Sequence, residues 1–248
     1  MEDVRYKTLG GASIRHRVDE VCTQINATCI HLGHVKNGDD GTTLAPLHDF
    51  CIANPSKNVI YLHDRGSFSA KWVNTLLRRD LLRGLSSKPC AGAVEDDSFD
   101  VCSLRFSPAP HAHTPGNMWS ARCEYVARLR SPREFRDLID NGPKRTGCGP
   151  GGSWCGLGRY AHEHWVHSHP SLRACDVLDR SYHHSWPRNF PTPDFPIKFS
   201  MAPRYTKGHP WHQRSRGGPA FMLEEWNYLY KERPPPSSRL WKAYQGQL

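Results

Sequence analysis

Three short segments of the chain carry side chains whose types and spacing could do chemistry. The first is Tyr61-Leu62-His63-Asp64-Arg65-Gly66-Ser67, an apolar run that breaks into a charged turn. His63 and Arg65 can donate hydrogen bonds to phosphate oxygens, Gly66 permits close backbone approach, and the N-terminus of a following helix can face an anion. A diphosphate suits such a turn, although no Walker or dinucleotide glycine fingerprint is present; a plain polar turn is the alternative. The second segment runs from His111 to Trp119 and sets imidazole, amide and indole groups on one loop. His113 and Asn117 could hydrogen-bond sugar hydroxyls while the apolar face of a sugar stacks on Trp119. A structural turn with Trp119 in the core is the competing reading.

The third segment, Arg159 to Pro170, places Glu163 among histidines on a short helical pattern, where it could act as a general base. It misses the His-Glu-x-x-His zinc pattern by one place, because the second histidine falls at His167. His164 and His167, with Cys148, Cys155 or Cys175, could instead build a structural zinc site, although their spacing matches no standard finger.

These segments need a frame. Val4 to Leu9 and Cys29 to Val35 read as strands flanking a helix over 16–26, and Leu44, Leu47, Phe50 and Cys51 mark a second helix. Asn58 to His63 is a short apolar strand, followed by a helix with Trp72, Val73, Leu76, Leu77, Leu81 and Leu82 on its inner side. Three strand–helix units in succession predict a mostly parallel sheet covered on both faces, with ligands at the carboxyl ends of the strands. Residues 86–97 read as a surface loop and 99–106 as a strand. Helical patterns follow at 119–130, 132–140 and 159–168. From Pro187 to Pro236 the chain holds ten of its twenty prolines, which predicts an extended tail with one helix, Phe221 to Lys231. The expected organisation is one α/β domain over 1–185 and a Pro/aromatic-rich extension over 186–248.

With 33 Lys and Arg against 24 Asp and Glu, the chain carries a formal charge of +9, which favours anionic partners. Its basic residues are dispersed rather than clustered, so a nucleotide pyrophosphate fits better than nucleic acid. No stretch approaches the roughly 18 apolar residues of a membrane span. Among nine cysteines, Cys22 and Cys29 flank the Asn26-Ala27-Thr28 glycosylation acceptor, and Cys148 and Cys155 bracket a glycine-rich loop. Both pairs suit an oxidising secretory lumen, such as the Golgi, and the odd count leaves at least one thiol unpaired.

Taken in order, the three segments resemble a poorly characterised glycosyltransferase-like family of algae and marine eukaryotes, related to bacterial polysaccharide-assembly proteins. The likeness rests on Tyr-Leu-His-x-Arg-Gly-Ser, on Arg78 within a helix, on His-Thr-x-Gly-Asn-Met-Trp-x-Ala-Arg, and on Arg-Tyr-Ala-x-Glu-x-Trp-Val, and it runs from about Val4 to Tyr244. The resemblance implies a GT-A-like, Rossmann-related fold, a nucleotide-sugar donor and a saccharide acceptor. It puts His63, Arg65, Gly66 and Ser67 on the donor diphosphate with Arg78 in support, His113, Asn117 and Trp119 on the acceptor, and Glu163 in the role of base. Where such enzymes commonly hold a divalent ion with Asp-x-Asp, this sequence reads His63-Asp64-Arg65, which implies donor binding without a metal cofactor. Glu95-Asp96-Asp97 is the alternative carboxylate source. Ser120 replaces an aromatic residue of the family pattern, which leaves a catalytically inactive carbohydrate-binding relative as one rival, and the Cys/His-rich region 148–175 makes a zinc-stabilised interaction protein another.

Overall fold

The computed structural model describes residues 3–9, 15–24, 28–64, 72–104, 106, 113–141, 160–169, 171–178 and 197–201. The chain divides into two compact units, Met1–Leu47 and His48–Leu248. In the first, strand β1 (Asp3–Leu9), helix α1 (Arg15–Gln24) and strand β2 (Thr28–Val35) form a βαβ unit, with β1 and β2 paired in parallel from Asp3↔Thr28 to Leu9↔Val35. The Tyr6 hydroxyl ties strand to helix by donating to Asp19 Oδ1 at 2.6 Å. A Cys22–Cys29 disulfide with Cα atoms 6.1 Å apart links α1 to β2, a pair that the sequence offers as suited to an oxidising lumen.

Helix α2 (Gly41–Ala53) starts at Asp39, whose carboxylate accepts from the Gly41 N–H at 3.0 Å. It contains Pro46. Proline has no N–H, so the carbonyl four residues back, Thr42, loses its helical donor. Lys7 Nζ takes that place by donating to Thr42 O at 3.1 Å.

The second unit holds β3 (Asn58–Tyr61), α3 (Trp72–Leu85), α4 (Lys88–Glu95), β4 (Val101–Ser103), β5 (Trp119–Arg122), α5 (Cys123–Val126), α6 (Pro132–Asn141), α7 (His162–Trp165), β6 (Ala174–Leu178) and β7 (Ile197–Met201). Its sheet has the order β3-β5-β4-β6-β7. The alternation of strands and helices is as predicted, but the expected mostly parallel sheet is not. Among the described residues β1–β2 and β4–β6 pair in parallel, whereas β3–β5, β4–β5 and β6–β7 are antiparallel. The cause is β5. Its four residues begin a stretch with helical periodicity, yet they lie between β3 and β4, where Trp119 and Ala121 are fully buried. The burial available at a central strand position overrides local propensity there.

Register-paired residues share a face. Cys102, Leu104, Cys175 and Val177 form one apolar layer with Leu81 and Leu85 of α3 and with Cys90 and Val94 of α4. Gly84 permits this approach, because a Cβ there would lie 2.8 Å from Leu104 Cβ. Helix α4 replaces the surface loop expected at 86–97. Its N-cap is Ser87, whose hydroxyl accepts from the Cys90 N–H, Pro89 sits in its first turn, and Cys90, Ala93 and Val94 are buried. On the other face the Tyr61, Trp119 and Trp165 rings adjoin in series, tilted to one another, with centroids 5.3 and 6.2 Å apart. A Cys51–Cys123 disulfide joins α2 to the first residue of α5 across a sequence separation of 72. No helix among the described residues is long and apolar enough to cross a membrane. The predicted helix Phe221–Lys231 and the pair Cys148/Cys155 lie outside the described residues.

Candidate functional site

The strand registers align Tyr61, Trp119, Ser103 and Asp176 across one end of the sheet, at the carboxyl ends of β3, β4 and β6. All three chemically rich segments meet there. His63, two residues past β3, reaches the second segment. Its Nε2 lies 2.7 Å from the Gly116 carbonyl, which can only accept, so Nε2 carries the hydrogen. The second segment in turn touches the third. The Thr114 N–H donates to Glu163 O at 3.4 Å, and the His113 and His164 rings lie 4.8 Å apart.

The loop of the second segment owes its shape to backbone requirements. Gly116 has φ 102° and Asn117 φ 47°, consecutive left-handed conformations that glycine and asparagine adopt most readily. The Asn117 N–H donates to Thr114 O at 2.9 Å, closing the turn, while Asn117 Oδ1 accepts from Trp119 Nε1 at 3.0 Å. Asn117 and Trp119 are both 0% exposed. Neither has surface to offer a sugar in this arrangement. The acceptor contacts expected of them give way to a structural role, because a side chain that completes a buried turn and fills a core cannot also stack on a ligand. His113 and Glu163 are half-buried and retain accessible surface.

Helix α7 is only one turn long and is held by its neighbours. Tyr125 OH donates to Val166 O and Trp165 Nε1 donates to Arg130 O, each at 2.8 Å. His162, His164 and Trp165 point inward, so Glu163 is the residue of the turn with the most exposure.

Beneath the loop lies a polar chain that the sequence did not single out. Thr114 Oγ1 donates to Ser103 Oγ at 2.8 Å and stands 3.1 Å from His167 Nε2, with all three residues 0–1% exposed. Since Thr114 gives its one hydrogen to Ser103, His167 Nε2 donates to Thr114, leaving Nδ1 bare. That Nδ1 has no partner among the described residues. Burial, and then the proximity of His113, lower the His167 pKa to about 3, so the ring is neutral. In sequence His167 reads as a candidate zinc ligand and Thr114 as part of the second segment, and nothing there links either to Ser103.

The opposite end of the sheet is a clamp of ion pairs. Arg173 Nη2 meets Asp100 Oδ1 at 2.8 Å, its Nη1 donates to Asp97 O at 2.8 Å, and Arg122 meets Asp97 Oδ1 at 3.0 Å. The Ser98 hydroxyl and then its N–H, the latter 2.9 Å from Asp96 Oδ1, donate to the Asp96 carboxylate and hold it below the usual carboxylate range. Glu95-Asp96-Asp97 thus belongs to the end remote from His63 and does not supply carboxylates to that edge. Among the described residues no group of three or more His, Cys, Asp or Glu side chains is arranged to hold a metal ion.

A family model describing a domain of unknown function, DUF8361, matches residues 1–243. The chain belongs to the DUF8361 family. No curated protein matches it, and no solved structure does.

Of the site residues predicted for this DUF8361 domain, the structure joins His63, His113, Asn117, Trp119 and Glu163 at one sheet edge. Arg78 lies on α3 and donates to Thr75 Oγ1 at 3.2 Å, one turn back on its own helix. Arg65, Gly66 and Ser67 lie outside the described residues. Of the zinc ligands considered, Cys175 Sγ is 2.7 Å from Cys102 Sγ, on the sheet face of α3 and α4, while His167 engages Thr114. That divides the candidate zinc set between two faces of the sheet.

Proposed function

We propose that this DUF8361 protein is a glycosyltransferase with a GT-A-like fold, moving a sugar from a nucleotide-sugar donor to a saccharide acceptor. The observation that carries the reading is the contact of His63 with Gly116 and of Thr114 with Glu163. Segments far apart in sequence, each chosen for its chemistry, share one sheet edge, where ligands of open α/β sheets bind. In this reading Arg65, Gly66 and Ser67 take the diphosphate beside His63, Arg78 supports them, and His113 orients the acceptor. Glu163 takes the proton of the attacking hydroxyl. Asn117 and Trp119 hold the loop in shape. Arg65 supplies the positive charge that a divalent ion supplies elsewhere, so no metal cofactor is required. The Cys22–Cys29 and Cys51–Cys123 disulfides favour an oxidising compartment such as the Golgi lumen.

Ser120, standing where the family pattern has an aromatic residue, favours a second reading, a relative that binds carbohydrate without turnover. A thermal-shift series with nucleoside diphosphates and their sugars tests the donor site, because a ligand of the native state raises apparent stability. Hydrolysis of the stabilising nucleotide sugar then separates enzyme from binding protein. No shift with any nucleotide would refute the donor site.

A further inference from the structure

We propose that Cys102 and Cys175 form a third disulfide, installed during folding and then sealed in the core. The two residues are register partners on the parallel strands β4 and β6 and point to the same face. Neighbouring strands lie roughly 4.7–4.9 Å apart, within the roughly 4.4–6.8 Å of Cα separation that a disulfide spans. The sulfurs are 2.7 Å apart. Non-bonded carbon atoms rest at roughly 3.5–4.0 Å, and sulfur is larger, so two thiols have no comfortable resting place at this distance. A bonded pair, at roughly 2.0 Å, requires only a small rotation of the side chains.

Cys90 of α4 is buried in the same layer, within hydrogen-bonding reach of Cys102. It sits on a helix rather than at a paired strand position, so the register of the sheet selects Cys102 and Cys175 as partners and leaves Cys90 as the thiol. All three residues are 0% exposed. Burial also pushes the Cys102 thiol far up, so the folded chain holds no thiolate there to begin exchange. The bond therefore forms before α3 and α4 close over the sheet. Each thiol gives up one proton and one electron. The acceptor is a disulfide of the folding compartment, glutathione disulfide or that of a dithiol oxidoreductase, which departs as two thiols. The consequence is a sheet whose central parallel pair is fixed covalently, beneath the edge where the three segments meet.

The test uses the full chain, reduced and unfolded, then refolded in a buffer of reduced and oxidised glutathione. It is quenched with iodoacetamide in guanidinium without reductant and digested for mass spectrometry. The peptides bearing Cys102 and Cys175 are expected joined, with Cys90 alkylated. Alkylated Cys102 and Cys175 in molecules whose Cys51–Cys123 link is intact would overturn the proposal, as would either sulfur joined to Cys90. A second arm folds the chain in reductant, then adds glutathione disulfide. The Cys102–Cys175 bond is expected only after denaturant opens the core, and its rapid appearance in the folded chain would overturn installation before closure.

Discussion

Replacing His167 with glutamine should flatten the acid side of the stability profile. His167 is 1% exposed, donates through Nε2 to Thr114, and has a folded pKa of about 3. In the unfolded chain the same ring titrates near its ordinary value of about 6.5. Between these values the unfolded chain binds a proton that the folded chain refuses, so stability is intact above about pH 7 and is lost as pH falls. The loss follows from the ratio of the two proton-binding polynomials. Relative to pH 7.5 it is about 2 kcal/mol at pH 5 and about 3 kcal/mol at pH 4, levelling at nearly 5 kcal/mol below pH 3. Other groups also titrate in this range, so the quantity to compare is the change with pH in wild type against His167→Gln, not either absolute stability. The glutamine amide can still meet the Thr114 hydroxyl but takes up no proton. Guanidinium unfolding at pH 7.5, 6 and 5 is the assay. The wild type should lose about 2 kcal/mol more than the variant between pH 7.5 and pH 5. Parallel profiles would refute the reasoning, as would an imidazole signal of His167 titrating near pH 6.5 in the folded protein.

Glu163→Gln should lower turnover by about 10²–10⁴ with donor affinity nearly unchanged, since the proton acceptor is lost; full turnover in the folded variant ends its role as base. Arg65→Ala should weaken nucleoside diphosphate binding by about ten- to a hundred-fold, measured by calorimetry, because a charged hydrogen bond is lost. Binding by the unaltered protein should survive excess chelator, and strict dependence on manganese or magnesium would reject Arg65 as the counter-charge. Asn117→Ala removes the acceptor for the buried Trp119 N–H and puts a Cβ-bearing residue without a local hydrogen bond at φ 47°. Denaturant unfolding should show a loss of about 2–4 kcal/mol from the two effects together, with Asn117→Gly recovering the backbone part alone.

Elements with a sustained period were readable from sequence. The helices α1, α2, α3 and α6 and the strands β1, β2 and β3 all fall where periodicity and turn residues put them. Shorter elements gave less. The start of α4 is marked by Ser87 and Pro89, but the acidic run Glu95-Asp96-Asp97 makes the stretch resemble surface, whereas the Asp97 carboxylate pairs with Arg122 and its carbonyl accepts from Arg173. The four residues of β5 carry no alternation strong enough to outweigh the helical pattern after them, and their placement depends on two partner strands distant in sequence. Asn117 reads in sequence as a sugar contact, whereas with Gly116 it satisfies a left-handed turn and an indole N–H. Their residue types alone do not distinguish a group that recognises a ligand from one that completes a fold. Nor could nine cysteines reveal which of them approach across 72 residues.

The Cys51–Cys123 bond encloses everything from β3 to β5, including His63 and the turn at Gly116. A protease that cuts one peptide bond anywhere inside that ring does not release a fragment. The two halves stay attached through sulfur, migrate as one band until a reductant is added, and keep their ends in register for reassociation. His63 and the turn at Gly116 thus remain parts of one covalently joined molecule after a single cut between them.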